Sequence, residues 1–176
     1  LIEDYSLIGW MQDINNNGIL DIIGDVGAYY LGASSMPQLI SDDGGNLFLV
    51  YSSVTETYDN GLQDYRHLWG RGSNDGGNTW AGFIDLNEDL IYIFSECVFP
   101  SFSPTSDSHV HLIFQEDNEP GLAIRGDEDP FEENRIRYIN RDKTDFVVLL
   151  NTGHLSGTVT ETAGGAPVEG ALVSVQ

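Results

Sequence analysis

Residues 13–21 read DINNNGILD and place side-chain oxygens at alternate positions, on Asp13, Asn15 and Asn17. Gly18 then permits a sharp turn, Ile19 offers a backbone carbonyl, and Asp21 brings a second carboxylate. Calcium is a hard cation that takes oxygen ligands from carboxylates, amides and main-chain carbonyls, and this order of residues reproduces the first nine positions of a calcium loop. The closing position, where such a loop carries a glutamate, is Gly24. Two readings stay open: a calcium site, and an Asn/Gly-rich turn that needs no ion.

Other residues invite chemistry more weakly. His109 and His111 are two apart on a segment with strand character, so their imidazoles share a face and could suit zinc. No third ligand is identifiable from the sequence, and two polar-face histidines is the plainer reading. Residues 116–133 crowd eight carboxylates among prolines and glycines. That run reads as a long solvated loop, with a second cation or a ligand contact as the alternative. Cys97, the single cysteine, sits among Ile91, Ile93, Phe94, Val98 and Phe99, where a small buried hydrophobe is expected. The cassette Ser73-x-Asp75-x-Gly77-x-Thr79-Trp80 has turn chemistry: a carboxylate to accept N–H groups, a glycine for positive φ, and an indole to anchor the turn by packing.

The 176 residues that must position these groups carry 28 acidic and 7 basic side chains, a net charge of −21. Such a chain repels phosphate backbones and anionic lipid, which sets nucleic acid and acidic membrane surfaces aside as partners and makes cations the natural ones. Apolar residues at 40% are enough to build a core, so the acidity belongs to surface and loops. No apolar run approaches the roughly 18 residues that span a bilayer. The chain opens on Leu1 without a methionine and closes within an apparent strand, and it reads as a piece of something longer.

Nearly every apolar segment is short, rich in β-branched or aromatic residues, and bounded by Gly, Asn, Asp, Ser or Pro. Segments 46–53, 65–72, 109–116 and 134–141 are the clearest strands, and no helical period is sustained. Setting PQLISDDGGNLFLVYS from Pro37 against PSFSPTSDSHVHLIFQ from Pro100, 63 residues on, aligns Leu47, Leu49, Val50 and Tyr51 with Val110, Leu112, Ile113 and Phe114 without a gap. The predicted fold class is all-β: a partial β-propeller of about two to three four-stranded blades. Leu47, Leu49, Tyr51, Leu112 and Phe114 are expected to be buried between sheets. A β-sandwich with a chance duplication is the competitor.

The cassette from Ser73 to Trp80 resembles the Asp box, or BNR repeat, of sialidase-like β-propellers, at the expected turn between a blade's third and fourth strands. The resemblance implies a structural role, because such boxes lie at the blade periphery. The equivalent stretch of the second repeat, NRDKTDF from Asn140, keeps Asp142 but lacks the glycines and tryptophan, so its turn must be held differently. Sialidases use an arginine triad, a tyrosine with a glutamate, and an aspartate, yet none of Arg66, Arg71, Arg125, Arg135 and Arg137 sits in an assignable motif. Residues 13–21 are similar to the calcium-stapled hairpins of secreted bacterial proteins. From Leu155 onward, Gly157, Val159, Pro167, Gly170, Ala171 and Val173 resemble the first strands of a carboxypeptidase-regulatory-like domain, a transthyretin-like β-sandwich. The expected organisation is a propeller portion over 1–150, a linker over 151–154 and a truncated sandwich module over 155–176. The implied function is a non-catalytic extracellular binding or scaffold module, secreted or at a bacterial cell surface, taking a glycan or protein ligand. The alternative is an exo-sialidase or other glycoside hydrolase whose catalytic residues lie mostly elsewhere.

Overall fold

The computed structural model describes residues 8–26, 29–125 and 130–147, together with 158–160, 164–165 and 168. Two antiparallel sheets account for its regular structure, and neither is closed. The first is a meander of β1 (Ser34–Ser41), β2 (Leu47–Asp59), β3 (Asp64–Ser73) and the short β4 (Ile84–Asp85). The second follows the same path with β5 (Glu96–Phe102), β6 (His109–Asp117) and β7 (Arg135–Asp142), after which α1 (Lys143–Phe146) makes one turn. No helix among the described residues is long and apolar enough to cross a membrane.

The 63-residue repeat of the sequence is present as a structural repeat. Both first strands carry a bulge, between Ser35 and Gln38 in β1 and between Val98 and Ser101 in β5. Each bulge turns on a non-glycine residue at positive φ just before a proline: Met36 at 57° and Phe99 at 54°. A bulge bends its strand and raises the local twist, so both sheets coil in the same way.

The sheets meet through one apolar layer. Phe48, Val50, Leu68 and Leu86 from the first pack with Cys97, Val110, Leu112 and Phe114 from the second, and Phe146 and Val147 close the layer. Phe48 and Phe146 contact edge to face at 5.6 Å. Gly70 and Gly72 let this end of the chain come close: a Cβ on Gly70 would lie 2.7 Å from the Phe146 ring, and one on Gly72 would lie 2.9 Å from Val147. Cys97 is buried here, as expected for a small hydrophobe.

The other face of the first sheet has its own cluster of Leu49, Tyr51 and Trp69, packed with Ile14, Trp80 and Phe83. This corrects the expectation for β2. Leu49 and Tyr51 are buried, but against the segment 8–14 rather than between the sheets, and Leu47 is only half-buried. Successive residues of a strand point to opposite faces, and it is Phe48 and Val50 that face the second sheet. Leu112 and Phe114 do lie between the sheets.

The second repeat's turn is held by different means. Asp142 caps α1 by accepting the Thr144 N–H at 2.9 Å and the Thr144 hydroxyl at 2.6 Å. Buried Lys143 reaches Asp42 at 3.3 Å and lies over the Phe48 ring. The linker at 151–154 and nearly all of 155–176 lie outside the described residues; within the latter, the Val168 N–H donates to the Val159 carbonyl at 2.9 Å.

Candidate functional site: the asparagine-rich loop and its anchor

The meander gives each sheet two distinct ends. Ser73 pairs with Leu47 at the start of β2, so the turn 74–83 lies at that end, whereas Glu56 stands near the finish of β2, beside the 60–63 turn. Loop 13–21 packs at the Glu56 end. The two cassettes singled out in the sequence therefore sit at opposite ends of the first sheet.

Loop 13–21 is knitted by its own side chains. Asp13 accepts the Asn17 N–H at 3.2 Å and the Gly18 N–H at 2.8 Å. Asn15 accepts the Asn17 N–H at 3.0 Å, and Asn17 accepts the Ile19 N–H at 2.7 Å. Asp21 Oδ2 receives the amides of Asn15 at 3.3 Å and Asn17 at 2.8 Å. Asp13, Asn15, Asn17 and Asp21 are thus brought together, while Ile19 enters through its N–H and leaves its side chain exposed.

Sequence reasoning missed the group that fixes this loop to the sheet. Glu56, 1% exposed, accepts N–H groups from Ile14 at 2.7 Å, Asn15 at 3.2 Å and Asp21 at 2.9 Å. Asp64 does the same for Ile23 at 2.7 Å. Gly24, at the position where a calcium loop would carry glutamate, has φ of +63°, and a Cβ there would lie 1.9 Å from the Leu62 carbonyl oxygen. Backbone contact therefore excludes any side chain at that position. The donors present, two carboxylates and two amides, are all hard oxygens of the kind calcium takes. Among the described residues no group of three or more His, Cys, Asp or Glu side chains is arranged to hold a metal ion.

The Ser73–Trp80 turn uses all five of the residues named for it. Ser73 Oγ bonds to Asp75 at 2.9 Å and accepts the Gly77 N–H at 2.9 Å. Asp75 accepts the Thr79 hydroxyl at 2.6 Å and the Thr79 N–H at 2.9 Å, and these bonds hold its pKa down to about 2. Gly77 supplies φ of +91°, and the Trp80 indole donates to the Gly77 carbonyl at 3.1 Å. These side-chain bonds of Ser73, Asp75, Thr79 and Trp80 all close within the turn, while the Trp80 carbonyl also accepts from Arg71 Nη2 at 3.2 Å.

The histidine pair has a neighbour that the sequence did not identify. Asp107 Oδ1 lies 3.2 Å from His111 Nε2 and 3.6 Å from His109 Nδ1, while His111 Nδ1 bonds to the Tyr138 hydroxyl at 2.7 Å. The arginines are scattered. Arg66 is buried and donates to the carbonyls of Gly32 and Ala33, each at 2.9 Å, beneath the Tyr29 ring. Arg71 lies 4.2 Å over Phe83 and donates to Ala81 and Trp80. Arg137 pairs with Glu116, and Arg141 donates to the Leu86 carbonyl.

At the junction of the two sheets, Glu96 is fully buried beside Arg66. Its Oε2 accepts the Arg66 backbone N–H at 2.5 Å, and its Oε1 lies 3.7 Å from Arg66 Nε. Among the described residues neither Oε1 nor Nε finds a hydrogen-bond partner of good geometry, though the Tyr29 hydroxyl lies close enough to the carboxyl to favour its ionised form. Burial pushes the Glu96 carboxyl up to about 7, against the pull of the Arg66 N–H and charge.

No protein-family model matches the chain, and no curated protein matches it. The fold and the sites define a class only: an all-β protein of two stacked antiparallel sheets built on an internal repeat.

Proposed function

We propose that the chain is part of a non-catalytic extracellular binding or scaffold module, secreted or at a cell surface, whose two sheets are successive blades of an Asp-box β-propeller. The end bearing loop 13–21 and the β2–β3 turn is its ligand-facing end, and a glycan or protein is the ligand class. The observation that carries this reading is the anchoring of the loop: three backbone N–H groups converge on one buried carboxylate, Glu56, and tie an otherwise exposed loop to a sheet end. Binding loops positioned by a rigid scaffold are the common way such folds present a surface. The Ser73–Trp80 turn at the opposite end supports the same orientation, with a structural role for the box.

Asp13, Asn15, Asn17 and Asp21 would hold calcium, which would tie the loop's side chains together and leave Glu56 to anchor its backbone. The scattered arginines weigh against a glycosidase: Arg66, Arg71, Arg137 and Arg141 are each engaged at a different place, and a sialic-acid carboxylate needs several together.

The test has two arms. Calcium at about a hundred times its dissociation constant should stabilise the chain by roughly 2.7 kcal/mol, read as a rise in Tm, and Asp13→Ala should remove that increment. An identical melting curve with calcium and with chelator would eliminate the metal. The chain should also bind members of a glycan panel without turning over a fluorogenic sialoside, and turnover that survives purification would replace the binding role with the hydrolase.

A further inference from the structure

The end of the two sheets that carries loop 13–21 gathers four segments. The stretch after that loop meets the β2–β3 turn, where Gly24 packs on the Leu62 backbone. The turn meets the β6–β7 loop: Asn60 Nδ2 donates to Glu119 at 3.1 Å, and the Tyr65 hydroxyl donates to the Asn118 carbonyl at 3.0 Å. The β4–β5 connector, 86–95, joins them through the Ser95 hydroxyl, which donates to Glu116 at 3.0 Å, and through Glu88, whose charge acts on Tyr58 near the finish of β2.

These segments expose large apolar side chains. Ile19, Leu62, Leu90, Phe94, Ile124 and Phe131 are each 59% to 84% exposed. At the opposite end, no described residue of the turns 42–46, 74–83 and 103–108 exposes a large apolar side chain. All six lie beyond the strand ends rather than on a sheet face, where a neighbouring sheet would pack. Exposed apolar side chains rimmed by polar ones mark interaction surfaces. The rim here is acidic: segments 13–26, 59–64, 86–95 and 118–134 contain one basic residue, Arg125, among carboxylates that include Asp21, Asp59, Glu88, Asp89 and Glu132.

We propose that this end is the seat of a polypeptide segment that combines apolar side chains with lysines or arginines, carried by a partner protein. Its charge complements the rim and its apolar side chains cover the six residues. The rim repels anionic lipid and phosphate, and a second copy of the chain, itself at −21, is repelled as well. Ile19, Leu62, Leu90 and Ile124 are aliphatic, which suits apolar side chains of a protein and gives a sugar ring no aromatic face to stack on. The inference rests on the ligand-facing end of the reading above and chooses protein from its two ligand classes.

Fluorescence anisotropy on the intact protein tests the seat, with a labelled amphipathic helical peptide of leucine and lysine as the probe and a leucine–glutamate peptide as its charge-reversed control. The leucine–lysine peptide should bind, and Leu62→Ser combined with Leu90→Ser should weaken it by about tenfold or more, whereas Leu39→Ser, toward the opposite end of the first sheet, should not. Both replaced side chains are largely exposed, so the melting curve should stay in place, and Ile19→Ser provides the same reading should the double variant melt early. Failure of the leucine–lysine peptide to bind, equal binding of the leucine–glutamate peptide, or binding indifferent to the serine substitutions would overturn the proposal; the last would leave only a bulk attraction of charge. A panel glycan whose binding is lost with the same substitutions would overturn it in favour of sugar. Turnover of a fluorogenic sialoside would overturn the binding-module reading and not this surface.

Discussion

Replacing Glu96 with glutamine should change how stability depends on pH more than it changes stability itself. The wild-type carboxyl is fully buried, and burial raises its pKa from an ordinary value near 4.5 to about 7. A carboxyl that is harder to ionise in the folded state contributes stability that is fully present below about pH 4.5 and is lost as pH rises towards 7, because only the unfolded chain gains from ionising across that window. At roughly 1.4 kcal/mol per pH unit over that interval, the loss is about 3 kcal/mol. Glutamine has nearly the shape of the neutral acid, keeps an oxygen for the Arg66 N–H and does not titrate. Carboxylates whose pKa is lowered, such as Asp75 and Asp142 through their threonine hydrogen bonds, lose their contribution as pH falls, but they do so equally in both proteins. Urea unfolding followed by tryptophan fluorescence at pH 4.5, 5.5, 6.5 and 7.5 should therefore show Glu96→Gln gaining about 3 kcal/mol relative to wild type across the series. A difference that stays constant with pH, with the variant weaker throughout, would refute the reasoning: Glu96 would then be ionised in the folded state and held by Arg66.

Three further outcomes follow from the packing. Phe48→Ala should lower the unfolding free energy by about 3–5 kcal/mol in urea titration, since Phe48 is fully buried against Phe146 in the layer between the sheets. Glu56→Gln should cost at least about 2 kcal/mol and open residues 13–26 to limited proteolysis, because three N–H groups lose a charged acceptor; an unaltered digestion pattern would remove Glu56 as the loop's anchor. Asp75→Ala should lower Tm while leaving glycan binding and the response to calcium intact, and a loss of either would mean that the turn does more than fold.

The β class, the strands and the Ser73–Trp80 turn were legible in the sequence because each is decided within a few residues. Alternation, turn residues and an eight-residue hydrogen-bond circuit need nothing from elsewhere in the chain. The repeat was legible for the same reason, since its equivalent strands keep their own local pattern at a fixed interval. The faces were not. On β2 both sets are apolar, Phe48 and Val50 on one side and Leu49 and Tyr51 on the other, so the strand carries no polar side to mark its outside, and only the docking of the second sheet assigns them. The anchor of loop 13–21 was hidden by distance: Glu56 lies 42 residues beyond Ile14, and nothing near it in sequence marks it as the loop's acceptor. Arg66 and Glu96 are likewise 30 residues apart and meet only where β3 and β5 cross. The sequence by itself determined the elements and their turns, because those depend on neighbours along the chain. Tertiary structure alone decided which faces are covered and which carboxylates are buried, because those depend on segments that meet only after both sheets have formed.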